Sequence, residues 1–173
     1  MAKKFGVVFC DIPKVRQQNR LDRAAFWRKV KAEHPEILMA KGCYIFGLRN
    51  GNNIKPWYVG QAAKQNFQKE IFTPHKREKY QNCIHENNGQ PVLFFIAALT
   101  HKGSKIADRK DNSDVIDWLE KQLILKALAQ NPKLENIQNI KYAKETVVPG
   151  FMHTPKGKGT EAERQLKKML SKK

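Results

Sequence analysis

Two apolar, extended stretches separated by a short turn constrain this chain more than any other feature: Gly42 to Leu48, and Trp57 to Gly60. Both are rich in aromatic and β-branched residues, which suit a pleated, half-buried surface. Between them, Arg49-Asn50-Gly51-Asn52-Asn53 supplies the residue types that reverse a chain. The pattern predicts a β-hairpin with a tyrosine on each strand, Tyr44 in Gly42-Cys43-Tyr44 and Tyr58 in Tyr58-Val59-Gly60. An antiparallel pair can set one residue from each strand side by side on one face, where two phenols can share a water or a phosphate. Amphipathic packing alone also accounts for two strand tyrosines.

A further apolar run, Val92-Leu93-Phe94-Phe95-Ile96-Ala97-Ala98-Leu99, follows Pro91 without alternation, as expected of a central strand covered on both faces. Helices are predicted over 19–33, with Asn19 as cap, over about 74–86 behind Thr73-Pro74, and from Asn112 or Ser113 onward. Phe67 to Phe72 suits a single helical turn. In the last long helix, Asp114 and Asp117 oppose the dipole, and Ile116, Leu119, Leu123 and Ala127 recur at helical spacing. Glu120 falls on the same apolar face. A carboxylate there is costly unless it is paired or holds a metal; at the stripe's edge, a salt bridge to a lysine would serve.

A chain of 173 residues is long enough for one domain with a real core. Its formal charge of +17, from 33 basic and 16 acidic residues, suggests an anionic partner, nucleic acid first. A basic ribosome-associated protein would carry such charge too. The excess is spread over 1–40, 41–100 and 151–173, whereas Asp108, Asp111, Asp114, Asp117 and Glu120 nearly balance 101–150. Cys10, Cys43 and Cys83 form no CxxC pair and leave an odd count, against a disulfide framework or a zinc site. The apolar run before Asp11 and Pro13 is too short for a signal peptide and no segment could span a bilayer. A cytoplasmic protein is expected, nuclear if the host is eukaryotic, with no membrane partner.

The ordered set is more specific than any member: Gly42-Cys43-Tyr44, Tyr58-Val59-Gly60, a basic helix with His75, Lys76 and Arg77, then Trp118-Leu119-Glu120-Lys121-Gln122-Leu123-Ile124 and Asn131-Pro132-Lys133-Leu134-Glu135-Asn136. This order resembles the GIY-YIG nuclease family over about residues 41–140. On that basis 1–40 is an N-terminal extension with a helix, and 141–173 a basic C-terminal segment. The resemblance implies an α/β (α+β) fold with a small central antiparallel three-stranded sheet flanked by helices. It implies a DNA endonuclease, with RNA as a further substrate class, that hydrolyses phosphodiester bonds by in-line attack of water. One Mg2+ or Mn2+ per active site would be held by Glu120, since magnesium keeps several waters and needs few protein ligands. Tyr44 would act as general base or orient the water, helped by His75, and Tyr58 would bind water or phosphate. Gly60, Arg77 and Asn136 are carried over as substrate-binding positions. A free phenol titrates at about pH 10, so the base role calls for a nearby cation.

One departure bears on activity. Where many members carry an arginine on the helix facing the scissile phosphate, this chain has Glu70. Lys69, or Lys76 or Arg77 under a shifted alignment, would supply the cation, as a point charge without the guanidinium fork in the lysine cases. Lys76 lies one turn before Tyr80 on a face that includes Ile84. Cys43 and Val59 replace the usual middle isoleucines and suit strand packing; Cys43 has no base at a known spacing that would make it a nucleophile. Lys156-Gly157-Lys158-Gly159 lacks the spacing of a P-loop and reads as part of a basic tail. The alternative is a catalytically impaired GIY-YIG-fold nucleic-acid-binding protein, for which the missing arginine is the best argument. Nothing in the sequence sets an oligomeric state.

Overall fold

A computed structural model of the chain describes residues 4–15, 18–99, 113–136, 149 and 159–170. The chain divides into two compact units, Met1–Asn136 and Ile137–Lys173. The first is a mixed α+β unit built on a four-stranded antiparallel sheet in the order β1-β4-β2-β3, with β1 Phe5–Asp11, β2 Gly42–Asn50, β3 Asn53–Ala62 and β4 Gln90–Ala98. The expected hairpin is β2-β3, longer at both ends than the apolar runs that announced it. Asn50 pairs with Asn53 across a two-residue loop, and Gly51 takes φ +59°, a conformation glycine adopts without a Cβ penalty.

Four strands form the sheet where three were expected. The fourth, β1, is the apolar run at the N-terminus, and its partner β4 lies far downstream, with Phe5 opposite Ala98 and Asp11 opposite Val92. No local turn announces such a pairing. Residues 1–40, read from sequence as an extension, thus supply a strand and helix α1 (Arg23–Glu33) to this unit. The helix starts later than predicted because Asp22, rather than Asn19, is the cap: its Oδ1 accepts from the Ala25 N–H at 2.9 Å.

Alternation along the strands sorts side chains into two layers. Tyr44, Phe46 and Leu48 of β2 join Leu93, Phe95 and Ala97 of β4 in one buried cluster with Phe26 and Val30 of α1. The same cluster takes Phe67 of α2 (Phe67–Glu70) and Tyr80, Cys83 and Ile84 of α3 (Pro74–Glu86). Its aromatic rings interlock: Phe46 stacks on Tyr80 at 4.3 Å between centroids, and Phe67 meets Phe95 edge-on at 5.2 Å. Helix α3 has the predicted limits, with Pro74 in its first turn and Asn87 at its end.

From the other layer, α4 (Ser113–Gln130) packs along β3 and β2, where the Cys43 thiol donates to the Ile116 carbonyl at 3.3 Å. Asn112, the other predicted cap, residues 100–111 and the Lys156-Gly157-Lys158 stretch lie outside the described residues. In the second unit, α5 (Glu161–Leu170) opens on a capping box: Thr160 Oγ1 accepts from the Glu163 N–H, and Glu163 Oε2 accepts from the Thr160 N–H at 2.9 Å.

Candidate active site

The site starts from a break in the hairpin ladder. Phe46 pairs with Tyr58 but Gly47 pairs with Pro56, so Trp57 is an extra residue on β3. Such a bulge interrupts alternation, and here Trp57 and Tyr58, adjacent in sequence, both reach the same core. Past the bulge Tyr44 stands directly opposite Gly60. The Tyr44 ring lies across the bare glycine: a Cβ on Gly60 would come within 2.4 Å of Tyr44 Cζ and Oη and 2.9 Å of Tyr58 Cε1. Gly42, at φ +154°, is likewise closed to side chains, since a Cβ there would lie 2.0 Å from the Ile96 carbonyl oxygen. Both tripeptide glycines are therefore steric requirements of this hairpin.

Tyr44 and Tyr58 lie on one side with ring centroids 6.3 Å apart, and Tyr80 from α3 completes a trio, 5.8 Å from Tyr58. Tyr44 is 0% exposed. The Tyr44 and Tyr80 hydroxyls are near enough to influence each other's ionisation, yet neither reaches hydrogen-bond geometry with a partner among the described residues. Burial, then the neighbouring phenols, hold Tyr44 well above the ordinary phenol range. Tyr58 is half-buried, and burial followed by the charges of Glu120 and Glu70 pushes it up to about 12. All three are neutral phenols at neutral pH.

Charge approaches the trio from two helices. Lys76 of α3 sits over the Tyr44 ring, 5.4 Å from its centroid, and Lys79 over Tyr58 at 5.5 Å. Lys76 is paired with the Glu70 carboxylate and donates to the Glu70 carbonyl at 3.2 Å, while Gln65 donates to the other Glu70 oxygen. The residue at the expected arginine position thus holds the neighbouring cation instead of being one. Lys69 and His75 are exposed, and Arg77 turns to a different cleft.

Glu120 is the buried carboxylate of the site, at 9% exposure. The buried line of α4 runs Ile116, Glu120, Ile124, Ala127, with Leu119 and Leu123 half-buried, so Glu120 is central to the stripe and not at its edge. It forms no ion pair among the described residues; its Oε2 accepts from Gln61 Nε2 at 3.0 Å. Burial, then repulsion by Asp117, raises its pKa, with Gln61 and Lys76 opposing. Among the described residues no group of three or more His, Cys, Asp or Glu side chains could enclose a metal. Glu120 alone, oriented by Gln61, is a donor of the hard-oxygen kind that magnesium accepts while retaining water. Cys43 is buried against α4, and burial followed by Glu120 and Asp117 pushes its thiol up to about 12, which removes it as a nucleophile.

Asn136 serves the frame. Its Oδ1 accepts from the Val59 N–H at 2.8 Å and its Nδ2 donates to the Val59 carbonyl at 2.6 Å. Nearby, the Glu135 N–H donates to Trp57 O and Asn131 Nδ2 to Pro56 O. The segment after α4 therefore satisfies the outer edge of β3 and holds the strand that carries Tyr58. Asn136→Ala leaves both buried Val59 groups unpaired and is expected to cost about 2 kcal/mol, seen as a lower midpoint in urea unfolding.

Two contributors, Tyr80 and Gln61, were not assigned from sequence. Tyr80 shares the inward face of α3 with Lys76 and Ile84, and Gln61 shares a strand face with Val59; both signals were present as spacing. No helix among the described residues is long and apolar enough to cross a membrane. No protein-family model, curated protein or solved structure matches this chain, so the chemistry of the site rests on its own residues.

Proposed function

We propose that this protein is a metal-dependent endonuclease of GIY-YIG type acting on phosphodiester bonds, DNA first. The observation that carries the reading is Glu120, a buried carboxylate kept in the apolar stripe of α4 within electrostatic reach of Tyr58 and Lys76. Such a group is costly to bury unless it is paired or holds a metal, and Glu120 has one hydrogen bond, from Gln61, and no ion pair among the described residues. Strands β2, β3 and β4 would be the three-stranded centre of the GIY-YIG fold, with β1 added at its edge. A magnesium or manganese ion on Glu120 would supply charge stabilisation at the phosphate and the leaving oxygen.

In this reading Tyr58 Oη faces the substrate. A phenol held neutral donates a hydrogen bond and does not take up a proton, so Tyr58 orients the attacking water or a phosphate oxygen. Tyr44, fully buried, positions Tyr58 and the Lys76 ammonium from behind. Lys76 supplies the positive charge that the missing arginine would have given, offset in part by Glu70. That ion pair, with the burial of Tyr44, is the observation favouring the second reading, a nucleic-acid-binding protein that no longer cuts.

Supercoiled plasmid at low salt separates the two. The native chain is expected to nick it only with magnesium or manganese, with Glu120→Ala abolishing the reaction and Tyr58→Phe slowing it about 10²-fold. Plasmid shifted but left intact by all three proteins, over several metals, would establish binding without cleavage.

A further inference from the structure

A second basic feature lies outside the phenol and carboxylate cluster. Arg20 and Arg23, at the approach to and start of α1, and Arg77 of α3 line one open cleft of about 370 Å³ with Leu21, Glu78 and Gln81. None of Tyr44, Tyr58 or Glu120 lines it. Three guanidinium groups on one cleft repel one another, and among the described residues none of the three forms an ion pair, with Glu78 or any other acid. The Arg77 Nε is buried without a hydrogen-bond partner, so no acceptor among the described residues satisfies it.

The cleft is built rather than incidental. Asn19 Nδ2 donates to the Ile84 carbonyl at 2.9 Å, Gln81 Nε2 donates to the Asn19 carbonyl, and Lys14 Nζ donates to Asn19 Oδ1 at 3.0 Å. These bonds pin the turn before α1 onto α3, and so hold Arg20 and Arg23 across from Arg77. Asn19, expected from sequence to cap the helix, does this instead. Arginines left without acid partners on one cleft, one of them with a buried, unpartnered Nε, suit a phosphate group whose oxygens take paired N–H donors.

We propose that this cleft is a phosphate-binding site, and that the phosphate it takes is one of the nucleic-acid backbone, some distance along the strand from the bond at Tyr58 and Glu120. It rests on the nucleic-acid part of the functional reading and not on cleavage. Arg20 and Arg23 come from residues 1–40, which lie outside the segment resembling the nuclease family.

The test is duplex-oligonucleotide binding by the full chain over a series of salt concentrations, comparing native protein, Arg20→Ala/Arg23→Ala, Arg77→Lys, and a control that loses equal charge elsewhere, Lys126→Ala/Lys133→Ala. Arg20 and Arg23 are exposed, so the double variant is expected to keep the native fold, checked by its thermal melt. The cleft variant should bind about tenfold more weakly at 0.1 M salt, with a log–log salt slope shallower by about 1 to 2, and the control should change less. Arg77→Lys keeps the charge and should still weaken binding through loss of the fork. Titration with inorganic phosphate forms the second arm: arginine-dependent uptake of phosphate without any effect on the oligonucleotide assigns the site to a free phosphate. Native binding with equal losses in the cleft variant and the control overturns the site while leaving nucleic-acid binding in place. Failure of the native chain to bind both oligonucleotide and phosphate overturns both.

Discussion

Glu120→Gln is expected to reduce metal-dependent nicking by about 10³-fold while leaving the protein as stable as the native chain, or more so. The amide keeps the shape and the Gln61 neighbourhood but removes a charge that burial and Asp117 both disfavour. A carboxyl raised in the folded state is best tolerated protonated: its contribution is fully present below the ordinary carboxylate range and is lost as pH rises through the raised value. Thermal melts without metal should therefore show the native chain losing stability relative to Glu120→Gln as pH climbs from the ordinary carboxylate range toward neutrality. Added magnesium or manganese should raise the native melt and not the variant's, by mass action on the folded state. A variant that melts well below the native chain at neutral pH would make Glu120 a structural hydrogen-bonding residue and remove the case for a metal there.

Gly60→Ala is expected to destabilise the fold by about 3 kcal/mol through overpacking, a large effect for one methyl group. The added carbon would occupy space already held by the Tyr44 ring, which is buried on all sides and cannot swing away cheaply. Because the two residues are cross-strand partners, their effects should not add: in urea unfolding, Tyr44→Leu/Gly60→Ala should cost clearly less than the sum of the single changes. Additive losses would mean that the ring does not lie over Gly60 in solution. Since the same contact sets the position of Tyr58, nicking by Gly60→Ala should fall further than its remaining folded fraction explains.

Much of the frame is written in short-range chemistry. The hairpin follows from two apolar runs around Asn50-Gly51, and the limits of α3 from Thr73-Pro74 and Asn87, because turns and caps depend on residues only a few positions apart. Helical spacing was likewise enough to set Glu120 among hydrophobes. It was not enough to choose between the edge of the stripe and its centre, since that depends on which flank of α4 meets β3.

What needed the tertiary structure shares one cause, contact between segments far apart in sequence. Strand β1 is an apolar run like many others until β4 is brought beside it. Asn19 has the chemistry of a cap and is drawn off by Ile84, while Asp22 caps in its place. Asn136 is a turn residue by composition and becomes the support of Val59 only when the chain after α4 runs back along β3. Glu70 looked like an absent arginine; its pairing with Lys76 shows a cation held by an acid. The sequence by itself determined the elements and the types of group available, because these follow from neighbours along the chain. Only the packed structure decided which phenol is sealed and which half-open, which carboxylate is buried and which arginines share a cleft, because desolvation and charge pairing are properties of neighbours in space.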